Sequence, residues 1–149
     1  MNTSYRGEIE NLYKKLIAAW NNRDAQGMAN QFTELGVQIG FDGSKVIGKK
    51  EILLHLEPIF EQHPTAPFIA KVKDIRLLGT DVAILHAIAG MIPPGKTDIE
   101  PKVNALQTLV AVKKDNEWRV ELFQNTPAQF HGRPELVEEM TDELQQLLR

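Results

Sequence analysis

The chain has 149 residues, of which 42% are hydrophobic and 25% charged, and it carries a formal net charge of −3. This length can bury one hydrophobic core. The acidic balance argues against nucleic acid or an anionic membrane as partner, since both bind clustered Lys and Arg. The absence of cysteine excludes disulfides, thiolate metal sites and cysteine nucleophiles. We see no signal peptide and no apolar stretch of membrane-spanning length, and we expect a cytoplasmic protein.

The N-terminal segment predicts two helices. Apolar residues over 8–22 fall on one stripe of an amphipathic helix, at offsets typical of the α-helical period: Ile9, Leu12, Tyr13, Leu16, Ile17 and Trp20. Asp24 can cap a second, short helix over 24–33, because its carboxylate can accept hydrogen bonds from the free N–H groups of a first turn. Met28 and Phe32 would face inward from that helix.

A hairpin and a third helix are predicted next. Asp42-Gly43 lies between two short apolar runs and is typical of a tight hairpin turn. The third helix is predicted over 49–62 and contains Pro58. Because an interior proline costs about 3 kcal/mol, we expect a kink or a restarted turn there.

The second half of the chain predicts a sheet. Short links join four apolar runs, which indicates an antiparallel meander of residues 68–79, 81–92, 103–114 and 117–126. Strands of about ten residues are longer than usual and must twist and coil, so the sheet can curve around helices and leave a pocket. Pro134 then favours the start of an amphipathic C-terminal helix.

Three helices followed by a long-stranded antiparallel sheet resemble the NTF2-like superfamily over residues 8–130. Within it, the chain resembles the SnoaL-like group of the SgcJ/EcaC type, through Trp20 with Asp24, Asp81-Val82-Ala83, Gln107-Thr108-Leu109, Trp118-Arg119-Val120, Phe123-Gln124-Asn125-Thr126-Pro127 and His131-Gly132-Arg133-Pro134. The resemblance implies an α+β cone, in which three N-terminal helices pack on a strongly curved, mainly antiparallel sheet. It further implies an NTF2-like part over 1–132, with the C-terminal amphipathic helix, 133–149, belonging to the same single domain.

The resemblance leaves the function open, because the superfamily includes ketosteroid isomerases, polyketide cyclases, dehydratases and a kinase association domain. The residues of the isomerases are not present as a set. A glycine occupies the position of the base, with Asp42 two residues on, and Leu16 occupies that of the helix tyrosine, with Tyr13 three residues earlier. Apolar Val110 or nearby Thr108 replaces the acid of the later strand. We therefore do not expect isomerase activity.

We predict one cavity at the open end of the cone, lined by Trp20, Asp42, His86, Gln107 and Asn125. Tyr13 and His131 are further candidate ligand-binding residues. His86 and Gln107 should meet across adjacent strands, and finding them on opposite faces would favour a scaffold role for the protein. Three of these residues have a simpler role as an alternative to a place in the site. Asp42 could be a turn residue, His86 a core histidine with satisfied hydrogen bonds, and Gln107 an amide bonded to its neighbours.

Two functions from different classes follow. The first is a pocket protein, either an enzyme or a binding module, for a hydrophobic oxygenated small molecule. If it is an enzyme, Asp42 or His86 would act as base in proton-transfer chemistry of the cyclase, isomerase or dehydratase type. The second is a non-catalytic association or scaffold domain acting through dimerisation. We expect a homodimer in either case, because the strand over 81–92 is apolar on both faces.

No cofactor or metal is expected. A G-x-G-x-x-G fingerprint after a strand is missing from the sequence, which argues against a bound dinucleotide. The four histidines have none of the tight spacings typical of structural metal sites.

Overall fold

A computed structural model describes residues 2–148, with side chains described from Tyr5 onward. The helices of this region are α1 (Asn2–Asn21), α2 (Ala25–Ala29), α3 (Lys49–Gln62) and α4 (Pro134–Gln145). The strands are β1 (Phe32–Ile39), β2 (Lys45–Ile47), β3 (Phe68–Leu78), β4 (Val82–Met91), β5 (Ala105–Lys114) and β6 (Glu117–Pro127). The α+β architecture expected from the sequence is confirmed.

The six strands form one curved, open sheet in the order β2-β1-β6-β5-β4-β3. All neighbouring pairs are antiparallel except β1 and β6, which run parallel. The inner face of the sheet, which we define by Leu85, Leu109 and Phe123, packs against α1, α2 and α3 in the main hydrophobic core. The side chains between them along each strand form the outer face, which we define by Ile84, Val110 and Leu122.

The second helix is shorter than predicted, and this corrects the prediction for Phe32. Asp24 caps the helix as expected, since its side chain accepts a hydrogen bond of 2.9 Å from the Gly27 N–H. The helix ends at Ala29, and Phe32 begins β1 instead of facing inward from a helix. The same full burial is reached from the strand, because the Val120 N–H donates to the Gln31 carbonyl and draws the chain onto β6.

Helix α3 runs without interruption through Pro58, so the restarted turn expected there is not formed. The proline removes the hydrogen bond to the carbonyl of Leu54, one turn earlier. Both residues lie on the exposed side of the helix, where water can bond that carbonyl. No helix within the described part of the chain is long and apolar enough to cross a membrane.

Helix α4 packs on one end of the outer face. Leu144 is fully buried and, with Ile88 and Ile99, forms a second hydrophobic cluster separate from the main core. Gly90 makes the close approach possible, because a Cβ there would lie 2.9 Å from a Leu144 methyl carbon. The rest of the outer face is left uncovered by the helix.

Candidate functional site

A cavity of about 300 Å³ lies between the helices and the inner face of the sheet. Its wall is mostly apolar and includes Trp20, Met28, Leu56, Ile59, Phe68, Met91, Val103, Ala105 and Phe123. Its mouth lies beside the turn between β1 and β2, where Phe41, Asp42 and Ser44 are exposed. The volume is at the lower end of the range for small-molecule sites. Since an apolar cavity of about 150 Å³ can hold benzene, this one has room for two fused rings.

Trp20 forms one wall at the C-terminal end of α1, as predicted. Its indole Nε1 donates a hydrogen bond of 2.9 Å to the Ala66 carbonyl, in the loop that follows α3. Its ring lies 5.2 Å, centroid to centroid, from the rings of both Phe60 and Phe68. Together these contacts fix the orientation of the indole and close the cavity on that side.

A chain of hydrogen bonds connects the buried core to the cavity. The Tyr13 hydroxyl donates to Gln107 Oε1 over 2.5 Å, and Gln107 Nε2 donates to Asn125 Oδ1 over 2.8 Å. Tyr13 and Gln107 are buried, whereas Asn125 is half-buried and lines the cavity. Gln107 is thus bonded to its neighbours, and it supports the cavity wall from behind without lining it.

Burial also sets the protonation state of Tyr13, the innermost residue of this hydrogen-bond chain. The pKa of the Tyr13 phenol is raised well above its usual value, because ionisation would place a charge in the core. Tyr13 therefore keeps its proton at neutral pH, and its hydroxyl remains a hydrogen-bond donor.

Gln38 is a cavity-lining residue that the sequence did not single out. Its side chain is 8% exposed, and its Oε1 is buried without a hydrogen-bond partner among the described residues. Gln38 pairs with Phe123 in the parallel ladder, one inner-face position from Asn125. A buried amide oxygen without a partner costs about 1–3 kcal/mol. The Gln38 and Asn125 amides therefore lie close together in a mostly apolar wall.

Asp42 lies at the mouth of the cavity and also forms the hairpin turn. Its Oδ1 accepts a hydrogen bond of 2.9 Å from the Ser44 N–H. This bond, followed by one from the Ser44 side chain, holds the pKa of Asp42 below its ordinary value. A carboxylate with a lowered pKa is a weaker base. The turn role predicted as the alternative for Asp42 is confirmed, and the geometry gives less support to the catalytic one.

His86 and Gln107 lie on opposite faces of the sheet, so the shared site predicted for them is wrong. His86 pairs with Thr108 across β4 and β5, whereas Gln107 pairs with Ala87. Side chains alternate between faces along a strand, and this register therefore places His86 on the outer face. Its Nδ1 lies 3.2 Å from Asp74 Oδ1 on the neighbouring strand β3. His86 is half-buried there, which also differs from the core histidine offered as the alternative.

His131 also lies away from the cavity, exposed in the segment between β6 and α4. Tyr13 and Gln107 stand behind the cavity wall without lining it, so only Trp20, Asp42 and Asn125 of the predicted residues line the cavity. His55 on α3 lines the cavity, although the sequence did not single it out. The signal that could have found it is its position one residue before Leu56 of the buried α3 stripe. Among residues 2–148, no group of three or more acidic or histidine side chains is placed to hold a metal ion.

A helix layer on a curved sheet, with a cavity between them, defines a cone-shaped class of small α+β proteins. Comparison with protein families gives the finer assignment: this chain belongs to the SnoaL-like domain family, whose model matches residues 9–124. This confirms the NTF2-like, SnoaL-like resemblance. The comparison does not separate out the SgcJ/EcaC type. No curated protein matches the chain.

Solved structures share the fold. A domain of unknown function with a cystatin-like fold from Nostoc punctiforme is 25% identical, with a TM-score of 0.81 over 92% of this chain and 85% of that one. An NTF2-like protein of unknown function from Shewanella oneidensis is 20% identical, with a TM-score of 0.65 over 85% of this chain and 99% of that one. A ketosteroid isomerase-like protein from Erwinia carotovora atroseptica is 16% identical, with a TM-score of 0.65 over 81% and 94%.

Proposed function

We propose that the protein binds a small, hydrophobic, oxygen-containing molecule in the cavity between its helices and its sheet. The observation that carries the proposal is the Gln38 amide, which lines an apolar cavity and has a buried oxygen without a protein partner among the described residues. An apolar wall with a few convergent polar groups is the usual composition of a ligand site. A bound molecule would fill the cavity, and it would give the Gln38 amide a polar partner once that side chain turns toward it.

Binding is better supported than proton-transfer catalysis. Asp42 and His55 are the two titratable side chains of the described cavity wall. Asp42 is exposed and its pKa is lowered, which makes it a poor base, and His86 lies on the other side of the sheet. The placement of His86 and Gln107 on opposite faces counts toward the association role, as stated above. We nevertheless propose binding first, because the cavity is mostly apolar and contains the unpaired Gln38 oxygen.

The proposal is tested with indene, a neutral two-ring hydrocarbon. A ligand that binds only the folded state stabilises it by RT ln(1 + [L]/Kd), or about 2.7 kcal/mol at a hundredfold excess over Kd. We expect indene to raise the free energy of unfolding of the natural protein. The substitution Val103→Trp, which adds bulk to the cavity wall, should abolish this effect. Leu54→Trp on the exposed side of α3 is the matched control and should respond as the natural protein does.

A second measurement uses the protein as cells produce it. Native mass spectrometry of freshly purified protein should show an added mass, and Val103→Trp should lose it. If indene gives no stabilisation and the purified protein carries no added mass, the pocket function is refuted. The association role would then be the better account.

The association role has its own support on the outer face. A row of apolar residues crosses five strands there, in the order Ile47, Val37, Leu122, Val110 and Ile84. All five are half-buried or exposed in the single chain. Soluble monomers rarely leave such a row uncovered, and two-fold pairing is the commonest way to cover it. We propose a homodimer through this face, which is compatible with ligand binding on the other.

A further inference from the structure

We propose that the Tyr13–Gln107–Asn125 hydrogen-bond chain fixes the polarity of the cavity, so that Asn125 presents N–H donors and selects ligands carrying a neutral carbonyl oxygen. The inference rests on the proposed ligand-binding function and names the ligand chemistry that the same cavity would select. It depends on which end of each amide faces which partner.

The orientation begins at Tyr13. A protonated phenol has a single hydrogen to donate, and Gln107 Oε1 receives it. If the Gln107 amide were turned over, its NH2 group would face the phenol oxygen. The phenol hydrogen would then lose the one acceptor that the structure gives it. Both side chains are buried, and an unpaired buried polar group costs about 1–3 kcal/mol. That cost corresponds to roughly a tenfold to hundredfold preference for the observed orientation.

The orientation of Gln107 then decides that of Asn125. With Oε1 bonded to Tyr13, the Nε2 end of Gln107 faces β6 and must find an acceptor. Asn125 provides its Oδ1. Its Nδ2 is therefore the end left for the cavity that Asn125 lines, where it offers N–H donors without an accompanying acceptor. The hydroxyl proton of Tyr13 thus determines that Asn125 presents its Nδ2 donor at the cavity wall.

The rest of the wall decides the charge of the ligand. The described lining contains no Lys or Arg, and the carboxylate of Asp42 lies at the mouth. An anionic ligand would meet the Asp42 carboxylate and find no lysine or arginine in the described lining, where His55 is the one side chain that can carry a positive charge. A neutral carbonyl would accept the Asn125 N–H without the cost of burying a charge. Gln38, whose Oε1 is unpaired, stands one position away on β1, and its amide can turn either end toward a hydroxyl or carbonyl of the ligand. The selected class is therefore ketones, esters and lactones on an apolar ring body.

Three two-ring probes of similar size test the inference: indene with no polar group, 1-indanone with a carbonyl acceptor, and indole with an N–H donor. One hydrogen bond contributes about 0.5–1.5 kcal/mol net. We expect calorimetry to show 1-indanone binding about threefold to tenfold more tightly than indene. Indole should gain no such advantage.

Substitutions then separate the hydrogen-bond chain from the cavity. Gln107→Glu replaces the Nε2 donor of Gln107 with a carboxylate oxygen, which accepts hydrogen bonds. Asn125 must then turn its NH2 group toward that oxygen and present Oδ1 to the cavity. At pH 8 the preference should invert, with indole binding more tightly than 1-indanone. Tyr13→Phe removes the proton that fixes the orientation, and the 1-indanone advantage should fall while indene binding persists.

Asn125→Leu keeps the inference testable if the buried glutamate prevents folding. It should reduce the ratio of the indene and 1-indanone dissociation constants to about one, since the hydrogen bond supplies the whole difference. Gln124→Leu, the next residue and on the outer face, is the matched control and should keep the natural ratio. Equal binding of indene and 1-indanone by the natural protein overturns the inference but leaves the ligand-binding function standing. An unchanged ratio in Asn125→Leu also overturns it, whereas failure of all three probes to bind refutes the pocket function itself.

Discussion

At the scale of single residues, the phenol of Tyr13 joins the stability of the core to the chemistry of the cavity. Tyr13 lies on α1 and is buried in the core, and its hydroxyl is hydrogen-bonded to the fully buried amide of Gln107. Its pKa is raised by desolvation in the folded state, whereas an unfolded chain would titrate it near the ordinary value of about 10. A difference of this kind makes the free energy of unfolding depend on pH.

The first residue-scale prediction concerns alkaline pH. Below about pH 10 the phenol is protonated in both states and adds no pH dependence. Above that value the unfolded chain loses the proton while the folded chain keeps it, so the free energy of unfolding should fall by about 1.4 kcal/mol per pH unit. Urea unfolding between pH 8 and 11 measures the slope. Tyr13→Phe should remove that part of the slope, and Tyr5→Phe should leave it in place. Parallel slopes for the natural protein and Tyr13→Phe would contradict the prediction.

At the scale of secondary-structure elements, α4 is held by an apolar cluster centred on Leu144 and by several polar contacts. Leu144 is fully buried against Ile88 and Ile99. Glu143 forms ion pairs with Lys71 and Lys73 of β3, and its pKa is lowered, first by the hydrogen bond from Lys73. These three charged side chains are partly exposed, and exposed ion pairs contribute about 0–1 kcal/mol. The apolar contact should therefore dominate the attachment of α4.

Removing that contact gives the element-scale prediction. Leu144→Ala should lower the free energy of unfolding by about 2–5 kcal/mol, because it leaves a cavity beneath the helix. Leu147→Ala is the matched control: that leucine is 45% exposed, and the change should stay within about 0.5 kcal/mol. Hydrogen exchange should show α4 losing protection in Leu144→Ala while α1 keeps it. Equal losses for the two leucine variants would show that the helix is held in another way.

At the scale of the whole molecule, the sheet has two apolar faces and the chain covers only one of them completely. Helices α1 to α3 bury the inner face, and α4 reaches only the end of the outer face near Ile88. The row from Ile47 to Ile84 remains accessible. Its residues lie directly opposite one another in neighbouring strands, which makes a continuous surface.

The whole-molecule prediction is the oligomeric state. Light scattering at micromolar concentration should give the mass of a dimer for the natural protein. Val110→Glu places a charge within the row and should give a monomer with an unchanged circular dichroism spectrum, since burying an unpaired charge in an interface is costly. Leu54→Glu, an exposed change on α3, should remain a dimer. A monomer mass for the natural protein would refute the proposed interface.

Local sequence determined most of the elements and the composition of each strand face, with the end of α2 and the start of β1 as the exception. Helical spacing placed Leu16 and Trp20 on one side of α1, and Asp42-Gly43 marked the hairpin, because both signals depend only on near neighbours in the chain. Alternation along each strand puts His86 on the same face as Ile84 and Gln107 on the same face as Leu109, and the ladder of β4 and β5 agrees with both placements. These features follow from steric rules that act over a few residues.

The tertiary structure alone decided which faces came together. Residues 92–104 form a long connection between β4 and β5, so no tight turn fixes the register of these two strands. A shift of one residue would move every side chain of a strand to the opposite face. The observed register pairs Gln107 with Ala87, so His86 points to the opposite face of the sheet from the predicted site. The parallel pairing of β1 with β6 brings Gln38 beside Phe123 and Asn125, across more than 80 residues of sequence, and no local pattern marks it. The cavity wall is made by such long-range pairings, which depend on packing of the whole chain.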